Sequence, residues 1–453
     1  MRYYLATLLV LTLFGVPAVT THFGAQIKEI SSLVGEAGSQ LAAVILSHNP
    51  KTISDLQAHY DQFSTLNATS SAINSSTTGA TVSMSTSVPP KVRILIVPGH
   101  EPSFGGAEFK DLKERDMTVE LANDLSSYLK TDAHYEVFQT RDAKNWNQDF
   151  ADYFKNNWND IIAWQRASLN ETRELIKVGL SVSHSAGVPT KPSLKKIIIR
   201  HNVAPRDVAY RLYGITKWAN DNNIDITIHI HFNDEINHGQ NIPGKNSGFA
   251  IYVPDGQYGN STTTKAVAMS VFKKLSEYNP VSDLPGESTG IVNEQNLIAI
   301  GADNTANSAS MLIEYGYIYE PQFADPTTRS LALKDLAYQT YLGLEDFFNP
   351  SVGITLSRSY DTVALPYSWT KPILNAKTKG PDIFALQTAL SFDGEYPPAG
   401  LTKNDCPRTG AIGACTEKAI KDFQNKYGVK KDNGIVGTKT LQLLNQNFGL
   451  QMI

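Results

Sequence analysis

The chain has 453 residues, of which 41% are hydrophobic and 19% charged, and a formal net charge of −4. That length holds two or three domains with a sizeable core, and the composition is that of a soluble globular protein, not a disordered one. The mild acidity gives no electrostatic footprint for nucleic acid.

At the N-terminus one Arg precedes an apolar run from Leu5 to Val16, and small residues follow around Pro17 to Thr20. This is the order of an export signal, and the run is short for a membrane span. Residues 1–20 therefore read as a signal peptide, cleaved or retained as a membrane anchor, and the protein is expected to act outside the cytoplasm. Residues 21–66 carry helix-type spacing at Ile27, Ile30, Leu33 and Val34, then at Leu41, Val44 and Ile45, with Leu56 and Phe63 continuing it. Residues 67–90 are about half Ser and Thr and end in Pro-Pro, the composition of a solvated linker.

The main domain is expected over 91–349 as α/β, with a largely parallel central sheet flanked by helices. "KVRILIVPGH" is a buried-type strand that ends on His100. Met117, Leu121, Leu125 and Leu129 recur every four residues and predict an amphipathic helix, with Glu114 in its first turn. "YEVFQTRD" is a second strand. Residues 144–190 are too long for an ordinary connection and read as an insertion with its own helices. "KKIIIRHN" is a further strand candidate, and "RDVAYRLYGITKWANDN" is helical. In "IDITIHIHFND", Ile226, Ile228, Ile230 and Phe232 face one way and Thr227, His229, His231 and Asn233 the other. "GFAIYVP" is a strand, a helix follows over about 262–278, and "ASMLIEYGYI" is the last clear strand before a final helix. Residues 350–375 are irregular, with prolines at 350, 366 and 372, and read as a linker. Residues 376–453 read as a small three-helix domain.

Four features point to chemistry. Glu114, three residues before Met117, shares a face with it and can point toward the sheet edge. His100 sits at the C-terminal end of a strand, where open α/β sheets place their sites. Two histidines and an asparagine on one face of an apolar strand suit a metal such as Zn2+. Glu314 follows three apolar residues, and a carboxyl buried there needs a task or a partner. Near a metal-bound water it is a candidate general base. Cys406 and Cys415, the only cysteines, read as a disulfide in an exported protein.

The ordered set "ILIVPGH", "GGAEFKDLKERDMTVELANDLSSYL", "VFQTRD", "ITIHIHFND" and "MLIEYGYI" resembles the zinc-dependent N-acetylmuramoyl-L-alanine amidases. The resemblance implies that His100, Glu114 and His231 bind zinc and that Glu314 is catalytic. It pairs Asn233 with His231 through the H-x-N motif and leaves His229 as an alternative ligand or a group behind the ligands. It implies hydrolysis of the amide bond between N-acetylmuramic acid and L-alanine in peptidoglycan. The chain departs from the pattern where Glu101-Pro102 follows His100 in place of Gly-Gly. Some relatives carry a helical insertion that plugs the site until an activator protein withdraws it, and residues 144–190 are a candidate for that role. The C-terminal repeats, Leu386 to Leu390, Gly410 to Thr416, Ala419 to Gln424 and Gly434 to Thr440, resemble a peptidoglycan-binding domain. There glycine permits the turn and Thr is expected to cap the next helix. Two other readings stay open: a zinc peptidase cutting another peptidoglycan bond, and a catalytically silent wall-binding protein.

Overall fold

The computed structural model describes residues 49–73, 90–183, 204–235, 238–349, 360–373, 375 and 377–450. The export signal or anchor, most of the Ser/Thr-rich linker and the strand candidate at 195–202 lie outside the described residues. Among the described residues no helix is long and apolar enough to cross a membrane.

In chain order the elements are α1 (Ile53–Ile73), β1 (Val92–Pro98), the short pair β2 (Glu108–Phe109) and β3 (Leu112–Lys113), α2 (Glu114–Leu129), β4 (Tyr135–Gln139), α3 (Gln148–Lys177), α4 (Arg206–Asp221), β5 (Ile226–Asn233), β6 (Ala250–Pro254), α5 (Ser261–Tyr278), β7 (Ile291–Glu294), β8 (Ala309–Tyr317), α6 (Pro326–Phe348), α7 (Pro381–Asp393), α8 (Ala414–Lys426) and α9 (Thr438–Phe448). Six strands form one sheet in the order β4-β1-β5-β8-β6-β7. Strands β4, β1, β5 and β8 run parallel, β6 runs antiparallel to β8, and β7 runs parallel to β6. The expected α/β class and largely parallel sheet are what the chain adopts.

Alternation along the strands divides the core into two layers. Ile94 and Ile96 of β1 and Ile226, Ile228, Ile230 and Phe232 of β5 pack against α2, α5 and α6. Met117, Leu121, Leu125 and Leu129 of α2 meet them there, as their spacing predicts. Leu95 and Val97 face the other way, into a layer built by Phe150, Phe154 and Ile161 of α3 and Tyr213, Ile215 and Trp218 of α4. Much of the segment read as an insertion is thus the helix layer behind the sheet. Its helix kinks at Asn157, and beyond the helix Val182 exchanges hydrogen bonds with Gln257 and accepts one from Gln295.

Two segments read as separate from the main domain are packed into it. Helix α1 runs seven residues past 66, into the stretch read as linker, and it buries Leu56 and Tyr60 in the domain core. Tyr60 stacks on His134 and Phe348 at ring separations of 4.1 and 4.8 Å. Within the stretch read as the second linker, residues 360–373 form a packed strap. Ala364 joins the core of the α/β domain, and Leu365, Trp369 and Ile373 join that of the C-terminal helices. Apolar side chains with partners far away in sequence account for this, and local composition does not reveal them.

In the C-terminal domain the Gly-Thr repeat works through glutamine. Gln387 donates to Thr416 Oγ1 and accepts from Gly410 N–H, while Gln424 donates to Thr440 Oγ1 and accepts from Gly434 N–H. The helix caps are Gly413 and Gly437, without side-chain bonds, so the expected Thr capping is not what the repeat does. Cys406 and Cys415 form a disulfide with Cα atoms 5.8 Å apart.

Candidate metal centre

The parallel strands β1, β5 and β8 end at one edge of the sheet, and that edge opens into a cleft of about 500 Å³. His100 follows β1 after Gly99 and holds a left-handed backbone, φ 69°, which is uncommon for a non-glycine residue. Such backbones cluster at functional sites. Arg141, fully buried, ties this turn down. Its Nε donates to the carbonyl of Pro98 at 3.2 Å, and its Nη2 donates to those of Gly99 and Arg115. Burial pushes the guanidinium down to about 10, so it stays charged at neutral pH.

Glu114 opens helix α2 and points back to the same place. His100 Nε2 lies 2.8 Å and His231 Nδ1 3.1 Å from Glu114 Oε1. The backbone N–H of Phe232 also donates to Oε1, and that of Ala107 donates to Oε2. Burial opposes the charge on this carboxylate, but His100 and His231 outweigh it and hold it well below the usual range. One ligand atom from each of His100, Glu114 and His231 lies within 4.8 Å of the others. Two glycines make the convergence feasible. A Cβ on Gly99 would sit 2.4 Å from His231 Cε1, and one on Gly106, itself at φ 84°, would sit 2.9 Å from His100 Cδ2.

Glu314 lies on β8 in register with His231 on β5, and it lines the same cleft. Burial pushes its carboxyl well above the usual range, and the Glu114 and Glu287 carboxylates add to the shift. A raised pKa beside a cluster of ligands suits a group that takes up a proton.

Residues 193–346 match the family described as N-acetylmuramoyl-L-alanine amidase, and residues 379–444 match a putative peptidoglycan binding domain. The chain carries an N-acetylmuramoyl-L-alanine amidase domain. It is a hydrolase of peptidoglycan amide bonds joined to a wall-binding domain. The amidase match contains His231 and Glu314 and begins after His100 and Glu114, which enter the site through the sheet and helix α2. Solved structures similar to the chain include the amidase from Clostridium difficile 630, at 15% identity over 58% of this chain and 98% of that one, with a TM-score of 0.35. The amidase from Mycobacterium smegmatis is 12% identical over 57% and 98%, with a TM-score of 0.36. The catalytic domain of the amidase CwlV from Bacillus (Paenibacillus) polymyxa var. colistinus is 14% identical over 58% and 99%, with a TM-score of 0.33. No curated protein sequence is a significant match.

Two other site candidates lie outside the amidase's ligand cluster. Asn233 does not pair with His231. The register between β5 and β8 shifts between His231 and Asn233, and the Asn233 amide donates to Glu287 at 2.8 Å. Glu287 is buried and also accepts from Tyr252, Ser282 and Tyr317. His229 sits one pleat deeper than His231, opposite Leu312, at the apolar floor of the cleft. Its ring nitrogens have no hydrogen-bond partner among the described residues. Burial, then the neighbouring His231, push its pKa down to about 3, so the ring is neutral.

The sequence reading missed two contributors. Arg141 was visible only as the middle of T-R-D, with no hint that it binds the carbonyls beside His100. The Glu101–Arg211 pair, at 2.7 Å, joins the turn after His100 to helix α4 across 110 positions of sequence. The break in the Gly-Gly pattern at Glu101 was its one signal. Of the described part of the insertion, Trp146 lines the amidase cleft while α3 lies behind the sheet.

Proposed function

We propose that the chain cleaves the amide between the lactyl group of N-acetylmuramic acid and L-alanine, with Zn2+ held by His100, Glu114 and His231 and with Glu314 as general base. The donor set fits that ion: two imidazole nitrogens and one carboxylate leave room for a water or substrate oxygen. When bound, Zn2+ supplies Lewis-acid polarisation of the scissile carbonyl and brings the pKa of a water near ~7. Glu114 serves with an orientation fixed by the N–H groups of Ala107 and Phe232. Arg141 keeps the His100 turn in place. Glu314 takes the proton of the attacking water and returns it to the leaving amine of L-alanine. The observation that carries this reading is the meeting of His100, Glu114 and His231 beside Glu314 in one cleft.

The site of action is the cell wall, outside the cytoplasm. The disulfide is in keeping with an oxidising compartment. Residues 1–20, as a signal or anchor, deliver the protein there.

Digestion of purified wall tests the reading. The native protein should release peptides with free L-alanine amino termini and leave the glycan intact by mass spectrometry. Chelation should abolish this release and Zn2+ restore it. Glu314→Ala should cut the rate by roughly 10²–10⁴-fold, the range for loss of a general base. Activity retained in that variant overturns the assignment of the base.

A further inference from the structure

Glu101 stands directly after a metal-ligand candidate, and its carboxylate is nearly buried, 6% exposed. Arg211 answers it from the second turn of α4. The Arg211 Nε donates to Glu101 Oε1 at 2.7 Å, and the side chain remains 23% exposed. Glu101 thus takes one edge of the guanidinium. The two terminal nitrogens have no partner among the described residues. Arg211 is also the one Arg or Lys among the described residues that line the cleft. The wall around it is apolar, built by Phe104, Pro205, Val208, Leu212 and Ile215.

A guanidinium offers two parallel donors that match a carboxylate bidentately, which an ammonium does not. Its fork is normally mobile on a long side chain. Here Glu101 fixes its edge, which lowers the ordering cost of binding a second acid. Oriented polar groups in an otherwise apolar cleft set specificity, because a ligand lacking their complement leaves them unpaired.

We propose that the Arg211 guanidinium, held by Glu101, is a carboxylate-binding subsite that reads the stem-peptide residue following L-alanine. This rests on the reading of the cleft as a peptidoglycan amidase site. In that substrate the second peptide residue carries either a free α-carboxylate or its amide, about two residue lengths, ~7 Å, from the scissile carbonyl. Glu101 adjoins His100, so the guanidinium it holds stands beside the centre, in the same cleft. The subsite favours walls in which that carboxylate is free over walls in which it is amidated.

The test uses the zinc-loaded full-length protein and two soluble muramyl peptides, N-acetylmuramoyl-L-alanyl-D-glutamate and its isoglutamine counterpart. The native protein should prefer the free acid by about ten- to hundredfold in kcat/KM, the span of a charged hydrogen-bonded contact. Arg211→Ala should bring the ratio close to one, and Arg211→Lys should keep a reduced preference. Calorimetric binding of the two dipeptides, L-Ala-D-Glu and L-Ala-D-isoglutamine, should show the same ordering without turnover. Thermal melts and zinc content of each variant exclude misfolding as the cause of a lost ratio. Equal use of both substrates by the native protein overturns the subsite, as does a ratio that survives in Arg211→Ala. If the native protein cuts neither muramyl peptide nor wall, the amidase reading fails instead. The dipeptide titrations then decide the subsite alone, and equal affinities sink it.

Discussion

Gly99 decides how closely β1 and β5 bring their histidines. Any side chain there would run into the His231 ring, with Cβ 2.4 Å from Cε1 and 2.6 Å from Nε2. Either that ring or the strand end must shift. Gly99→Ala should therefore weaken affinity for the proposed Zn2+ by about 10- to 100-fold, the scale seen when groups that orient metal ligands are altered. Competition against a chromogenic chelator measures this directly, and an unchanged affinity would show that the ring has slack. The same residue explains why this corner was legible from sequence. Pro-Gly before His100, an alternating strand with His231, and a lone acid after "MLI" are local patterns, each set by one strand or turn. The Arg211–Glu101 pair was not legible, because nothing local distinguishes an Arg facing solvent from one facing an acid 110 residues away. His229 could be assigned to the cleft face of β5 by alternation, but its depth below the ligands depends on where the neighbouring strands end.

Among the elements, the central strands were readable because both faces are covered and their apolar runs are nearly continuous. β7 was missed because it is a four-residue edge strand, and only its last residue is buried. Helix α1 was found as a helix but not as part of the domain. It is held at the entry of β5, where Lys51 and His59 meet the fully buried Asp225 carboxylate at 3.2 and 3.1 Å. The hydrogen bond to Asp225 raises the His59 pKa above its usual value, and burial, then Lys51, partly oppose this. On the other side, burial works against the Asp225 charge, but His59, the Arg93 N–H and Lys51 hold its pKa low. The signs give a window. The histidine's contribution is complete below its unfolded pKa of ~6.5 and fades as pH rises through the raised folded value. The aspartate's is complete above ~4 and fades as pH falls through the depressed one. Docking of α1 should thus be firmest between about pH 4 and 6.5. The native melting temperature should fall by roughly 2 °C on passing from pH 6 to 8.5, relative to His59→Gln. Parallel pH profiles for the two proteins would remove His59 from the account, leaving Lys51 as the anchor.

At the scale of the whole molecule, the wall-binding domain is docked, not merely tethered. Arg408 reaches from the C-terminal domain to Asp335 on α6 at 2.9 Å, with side chains 3% and 1% exposed. The same guanidinium donates to the Tyr278 carbonyl, to Asn279 and to Thr388, and it lies over the rings of Tyr278 and Phe384. Asp335 is saturated in turn by Thr362 Oγ1 and the N–H of Val363, which fastens the strap between the domains. A buried pair adds little beyond what apolar residues of the same shape would give, but breaking it strands a charge at a cost of about 3–5 kcal/mol. Arg408→Met keeps much of the stacking and removes the charge, so the buried Asp335 carboxylate is left with Thr362 Oγ1 and the N–H of Val363 and no counter-charge. Calorimetry should show the native chain melting as one unit, and the variant should show the C-terminal domain melting separately and earlier. The functional consequence follows from geometry. A flexible tether raises local concentration in all directions, whereas a docked domain presents the cleft to the wall at one angle. Arg408→Met should therefore digest insoluble wall more slowly while its kcat/KM on soluble muramyl peptides stays near native. If insoluble and soluble substrates respond alike, the docking serves stability and has no part in aiming the cleft.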